Sequence, residues 1–336
     1  MARQDGSGRR GVSGPPVPDA VGGAGPVRPD PGDPLVGSLL VRCRFPAGPL
    51  ACGLSGGPDS TALVALAVAS GAPVRAVHVD HGLRPGAPDR DIAVATARRL
   101  GVDIEVVELE LDEGPDLEER ARRARYAALP PDVCVGHTAD DRAETVVFNL
   151  VRGAGLAGVA AAFERVHRPL LALRRHETAA LCAHLGLTVA DDPTNADPRH
   201  TRSRLRHEVL PALAAATGRD PVPALCRHAD LVADALAVIR DLAGRLDPTD
   251  VAALAAAPRA VAAEALRRWL AAETGAPRGV DAASIERVLA VVAGEIRATE
   301  VTGGHRVRRR AGRLRVEPRD GPDTGDAGVA PGSDGG

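Results

Sequence analysis

Short apolar runs at 50–54, 74–79, 104–111 and 132–136 alternate with stretches of helical periodicity at 58–70, 89–100, 116–129 and 139–152. Runs that are apolar throughout, without a polar alternate, predict strands covered on both faces. Spaced by helices, they predict an α/β fold with a parallel sheet flanked by helices. After about residue 215 the character changes. Segments 221–246, 250–274 and 281–295 keep helical spacing in Ala, Leu, Val and Arg and carry no strand signal, so a smaller, mainly helical domain is expected there. Residues 299–302, Gly303-Gly304 and 306–316 read as a terminal β-hairpin. Both ends lack periodicity and are rich in Gly, Pro and Asp. The expected organisation is a disordered leader at 1–34, an α/β catalytic domain at 35–215, a mainly helical domain at 216–316 and a disordered acidic tail at 317–336.

Composition adjusts this picture. With 44% apolar residues the 336-residue chain can build real cores, but aromatics are only 1%, so Leu, Val and Ala must fill them. Every one of the 42 basic residues is arginine. A net charge of −2 argues against nucleic-acid binding until its distribution is considered. Residues 317–336 hold five acids against one arginine, which leaves the rest of the chain weakly basic, with its arginines clustered. Arg199, His200, Arg202, Arg204, Arg206 and His207 fall within nine residues, and six arginines, Arg308, Arg309 and Arg310 among them, lie between 306 and 315. Such clusters suit phosphate contact, which supplies affinity without reading sequence. No apolar run reaches the ~18 residues of a membrane span. The N-terminus has no apolar signal core, so a cytoplasmic location is expected. The five cysteines form no C-x-x-C pair and read as reduced core residues, against a disulfide frame, a zinc site or an iron–sulfur cluster.

The candidate chemistry gathers at strand ends. Ser55-Gly56-Gly57-Pro58-Asp59-Ser60 stands between the first predicted strand and a helix. Strand, glycine turn and helix aim backbone N–H groups and a helix N-terminus at an anion, while Ser55 and Ser60 add hydroxyl donors. Asp59 among phosphates implies a metal ion or a substrate amine. The run is neither Walker A nor G-x-G-x-x-G. It resembles the PP-loop of ATP pyrophosphatases, which implies cleavage of ATP to AMP and pyrophosphate. Asp80 and His81 end the second strand at the same sheet edge and are candidates for nucleotide contact. His137, Asp140, Asp141 and Glu144 follow the last strand and open a helix. Three carboxylates within about a turn exceed what helix capping requires and suit a magnesium or amine site.

The motifs SGGPDS, HVDHGLR (78–84), ARRARY (121–126), GHTADDRAET (136–145), LVRGAG (150–155), RPLL (168–171) and DPTN (192–195) occur in this order. Together they resemble the tRNA(Ile)-lysidine synthases, over roughly residues 50–212. The resemblance implies adenylation of C2 of the cytidine at the first position of a CAU anticodon in tRNA(Ile), with free L-lysine then displacing AMP. Lysidine pairs with A, so decoding changes from AUG to AUA. It implies ATP and Mg2+ as cofactors, with Asp59 and Asp141 holding the metal. The N–H groups of 55–60 would bind pyrophosphate, and Arg122 or Arg125 would act as a phosphate clamp. Asp140 or Glu144 would take the proton from lysine. The partner tRNA would meet Arg202, Arg204 and Arg206 and the arginines of the hairpin. A homodimer is compatible with the sequence. One departure is Ser203, where the family usually carries Asn. The chain also ends without room for the longer C-terminal domain of some members. A PP-loop tRNA thiolase is the rival reading, and the lack of a cysteine pair counts against it. A nucleotide-binding regulator without catalysis is a second rival, and the intact carboxylates speak against it.

Overall fold

A computed structural model describes residues 25–80, 89–109, 120, 124, 127–160, 166–190, 201–275 and 280–318. The chain divides into two compact units, 1–231 and 232–336.

In the first unit, α1 (Pro34–Leu40) is capped by Asp33, whose carboxylate accepts from the Leu35 and Val36 N–H groups. Next come β1 (Leu50–Gly53), α2 (Pro58–Ala69), β2 (Val74–Asp80), α3 (Asp89–Leu100) and β3 (Asp103–Glu108). The strands pair in parallel, in the order β1-β2-β3. The sheet continues past the other side of β1. Cys134 forms parallel bridges with Cys52 and with His167, and the Gly53, Cys134, Val135 and His167 N–H groups all donate across these contacts at 2.8–2.9 Å. The spatial order is therefore β3, β2, β1, the 133–135 segment, then His167. Chain order reverses between β1 and 133–135, and in open parallel sheets the crevice at such a reversal receives the ligand. Both loops that leave this point carry predicted site residues.

α2 lies under the loop as a helix buried nearly all round, from Ser60 to Ala67. That burial explains why it is apolar on every face. Leu63 and Leu66 pack with Leu39, Leu54, Leu170, Leu173 and Leu181 in one core. Beyond the sheet follow α4 (Ala139–Val151), α5 (Leu156–Val159), α6 (Arg175–His184) and α7 (Thr201–Arg204). A wide π-helical turn, Leu205–Val209, then leads into α8 (Leu210–Thr217). Ser203, the residue that departs from the family pattern, is buried. Among the described residues no helix is long and apolar enough to cross a membrane.

The second unit has its own core, in which Leu254, Leu266, Leu270, Ile285, Val288, Val307 and Leu314 are buried. α9 (Pro221–Gly244) enters it from the first unit and is followed by α10 (Val251–Ala256), α11 (Arg259–Thr274) and α12 (Ala282–Ala293). The expected helical stretch 250–274 is two helices, because Ala257 is extended ahead of Pro258. The expected hairpin is a three-stranded antiparallel sheet, β4 (Ala298–Val301), β5 (His305–Arg310) and β6 (Arg313–Pro318).

Three expected boundaries move. The units divide after Leu231 instead of at 215, because Val222, Leu225 and Cys226 pack with Leu205, Leu210 and Ala139. The leader ends sooner than residue 34: Val27 packs on the core and donates its N–H to Arg99 O at 2.6 Å. Glu317 and Pro318 belong to β6 and not to the tail.

The two loops at the reversal touch through backbone. A Cβ at Gly136 would stand 2.6 Å from Asp59 O and 2.9 Å from Ser60 N. Neither atom can yield without moving the loop. Gly136→Ala should therefore cost about 1–3 kcal/mol, read as a lowered melting midpoint, and should weaken nucleotide binding. Gly155→Ala, where nothing lies within 4 Å, should change neither.

Candidate active site

The loop after β1 is shaped by its own residues. Gly56 sits at φ +88°, in the left-handed region that favours glycine, and a Cβ there would come within 2.9 Å of Asp89 O. Its carbonyl accepts from Ala190 N at 2.8 Å. Ser60 Oγ ties the turn together: it accepts from Ser55 N at 3.1 Å, lies 3.0 Å from Ser55 Oγ and donates to Gly57 O at 3.0 Å. Gly57 caps α2 and Pro58 begins it, so the fixed φ of proline falls where no N–H is needed. A Cβ at Gly57 would meet only Ser55 Oγ, at 3.8 Å. Open space there and the first-turn N–H groups of α2 make a cradle for an anion.

Across from it, Thr138 caps α4, and its N–H and Oγ1 donate to Asp141 Oδ2 at 2.8 and 3.0 Å. Asp59, Asp140, Asp141 and Glu144 face a pair of arginines that opens α6. Arg174 grips Asp140 with two donors, Nε at 3.1 Å and Nη2 at 3.0 Å, and also pairs with Asp220. The Arg175 N–H donates to Asp140 Oδ2 at 2.8 Å. Its guanidinium spans three carboxylates: Asp141 Oδ1 at 2.8 Å, Glu144 Oε1 at 3.4 Å and Asp59 Oδ2 at 3.5 Å. Arg206 donates to both oxygens of Glu144, at 2.8 and 3.3 Å. Glu144 is 1% exposed, so burial without these partners would be costly.

The carboxyls are tuned apart. Burial pushes Asp59 up to about 6, against the Thr178 hydroxyl that donates to it, and the nearby Asp141 charge pushes the same way as burial. Burial also opposes ionisation of Asp141, but Arg175 and the Thr138 N–H hold it below the ordinary range. Asp140 is likewise low: Arg174 outweighs its burial.

The structure brings Ser55, Gly56, Gly57, Pro58, Asp59, Ser60, Asp140, Asp141 and Glu144 to one sheet edge, with Asp80 ending β2 at the same edge. His137 lines a cleft with Asp141, Arg142, Thr145, Arg168, Leu171 and Arg202. His81 and Arg122 lie outside the described residues. Asp140 and Glu144, expected to take a proton from lysine, are each held by a two-pronged arginine. Arg206, expected to face tRNA, is turned onto Glu144 by the wide turn that carries it; Arg204 is exposed. In β5, alternation puts Arg308 and Arg310 on the face opposite buried Val307, across from Arg315 and Arg313 of β6. Arg309 shares the Val307 face, and its Nη1 donates to Val292 O at 3.2 Å.

Sequence reasoning missed Arg174, Arg175 and Thr178. A signal existed: two cations at a helix N-terminus oppose the helix dipole, and so require acidic partners nearby.

The chain's kinship agrees with this geometry. The PP-loop domain family matches residues 38–213, and the TilS substrate binding domain family matches residues 250–315. The tRNA(Ile)-lysidine synthase of Nocardia farcinica is 42% identical over 251 residues, covering 70% of this chain and 79% of that protein. That of Mycolicibacterium paratuberculosis is 45% identical over 237 residues, covering 65% and 73%. That of Leifsonia xyli subsp. xyli is 39% identical over 287 residues, covering 77% and 83%. With a PP-loop built around these carboxylates and a substrate-binding domain after it, the chain belongs to the tRNA(Ile)-lysidine synthase family.

Proposed function

We propose that this PP-loop ligase adenylates the cytidine at the first anticodon position of tRNA(Ile) with a CAU anticodon, and that L-lysine then displaces AMP to give lysidine. The observation that carries this reading is the contact between the two loops, which turns Asp59 and Asp141 toward one cation beside the first turn of α2.

In the first step the C2 carbonyl oxygen of the cytidine attacks the α-phosphorus of ATP and pyrophosphate leaves. The N–H groups of α2's first turn and the Ser55 hydroxyl meet the departing phosphates, Ser60 holds the turn through Gly57 O, and the helix dipole adds positive potential. In the second step the neutral lysine amine attacks C2, the C2–O bond to the adenylate breaks so that AMP departs, and the amine's proton passes to water. Asp140 and Glu144 keep Arg174 and Arg206 in place, so the site holds a fixed field while charge shifts. The resulting base pairs with A, which changes decoding from AUG to AUA.

Magnesium fits the donor set. Asp59 and Asp141 offer hard oxygens from two helices that one cation, Arg175, already spans, and nucleotide-bound magnesium takes one or two carboxylates beside phosphate and water. When bound it supplies neutralisation of the triphosphate.

The outward face of the β4–β6 sheet supports tRNA contact. Arg308 stands opposite Arg315, and Arg310 opposite Arg313. Like charges directly opposite destabilise a sheet; Glu317 beside Arg308 and Asp247 beside Arg313 offset part of that repulsion, and tRNA phosphates would offset more of it.

Two measurements test the reading. Asp59→Asn keeps an acceptor for Thr178 but loses the charge; it should lower tRNA-dependent pyrophosphate release at least about 100-fold with an unchanged melting midpoint. Wild-type rates in that variant would overturn the assignment of Asp59. Arg308→Ala with Arg310→Ala should weaken tRNA binding and flatten its log–log salt dependence by about one unit for each phosphate the variant no longer neutralises, whereas Arg309→Ala should leave the slope unchanged. An unaltered slope in the double variant would remove phosphate contact from this face.

A further inference from the structure

The three arginines of the site are held in different ways. Arg174 and Arg206 each present two donors to one carboxylate, Asp140 and Glu144 respectively. Planar two-pronged pairing of this kind is the strong, geometrically specific form. Arg175 has no such partner. It makes one short contact, to Asp141 at 2.8 Å, and stretches to Glu144 at 3.4 Å and Asp59 at 3.5 Å. One guanidinium is serving three carboxylates and fitting none of them fully.

Each of those carboxylates would keep another partner if Arg175 left. Asp141 retains the Thr138 N–H and hydroxyl, Glu144 retains Arg206, and Asp59 retains Thr178. The Arg175 backbone would stay fixed, because its N–H is bonded to Asp140. Departure of this side chain therefore orphans nothing, whereas departure of Arg206 would leave the buried Glu144 with only the long contacts to Arg175.

We propose that Arg175 is a placeholder for the divalent cation: in the nucleotide-free enzyme its guanidinium fills the space between Asp59 and Asp141, keeps a free metal ion out, and yields only to a cation that arrives with triphosphate. The inference rests on the metal reading above and adds an order of events to it. Arg175 is a positioning residue, since it holds the two ligands at the spacing a single cation spans. Nucleotide-bound magnesium displaces it because two charges on a small ion satisfy both carboxylates more fully than one charge spread over a guanidinium.

The test uses Mn2+ as the probe, titrated into the full chain with and without a non-hydrolysable ATP analogue. Wild type should bind Mn2+ weakly alone and tightly with the analogue. Arg175→Gln should bind Mn2+ alone at least about tenfold more tightly than wild type does, while Arg175→Lys, which keeps a cation in place, should show no gain. If wild type takes up Mn2+ with the analogue but Arg175→Gln gains nothing alone, the placeholder role is wrong and the metal site stands. If wild type takes up no Mn2+ even with the analogue, the metal reading falls and the placeholder with it. Should Arg175→Gln be unfolded without metal, its circular dichroism should recover on adding Mn2+, and failure to recover would equally overturn the role.

Discussion

Four carboxylates gathered at one sheet edge constrain everything around them. Asp59, Asp140, Asp141 and Glu144 come from two helices that begin at neighbouring loops, and they could not stay ionised together without cations. Arg174, Arg175 and Arg206 supply these from two further segments. Two of the three stand at the start of α6, where the helix dipole opposes them by about 0.3–1 kcal/mol each. Leaving a buried charge unpaired costs about 3–5 kcal/mol. Ion pairing therefore outweighs the dipole, and a helix that begins against its own field is the result.

The same arrangement links fold to chemistry. Reversal of strand order between β1 and the 133–135 segment sends one chain into α2 and the other into α4 from adjacent strand ends. Glycine at 136 lets the second loop rest against the backbone of the first. That contact brings the first-turn N–H groups of α2 and the carboxylates together, as the proposed adenylyl transfer requires: one set for the phosphates, another for the counter-ion. The second unit carries a separate surface, a small sheet on which arginines of β5 stand opposite arginines of β6.

Much of this was legible in the chain. The helix expected at 89–100 is Asp89–Leu100, and the glycine loop sits between strand and helix as its residues imply. Legibility failed where the cause was not local. His167 joins the sheet through a single bridge and has no run of apolar neighbours to announce a strand. Arg175 was hidden by composition: where every basic residue is arginine, one more carries little signal, and only its position at a helix start sets it apart. Arg206 read as part of a surface cluster because the wide turn that swings it onto Glu144 has no marker of its own. Arg309 read with Arg308 and Arg310 as a run, although the alternation of a strand separates it from both.

The central claim is that this constellation attaches lysine to the tRNA at the expense of ATP, and the product itself is the most direct evidence. Purified chain would be incubated with ATP, Mg2+, isotopically labelled lysine and tRNA(Ile) bearing a CAU anticodon, and the tRNA digested to nucleosides for mass analysis. The account predicts labelled lysidine at the first anticodon position, with AMP and pyrophosphate formed in equal amounts to it. Pyrophosphate release with no lysine on the cytidine, or modification that proceeds without ATP, would contradict it.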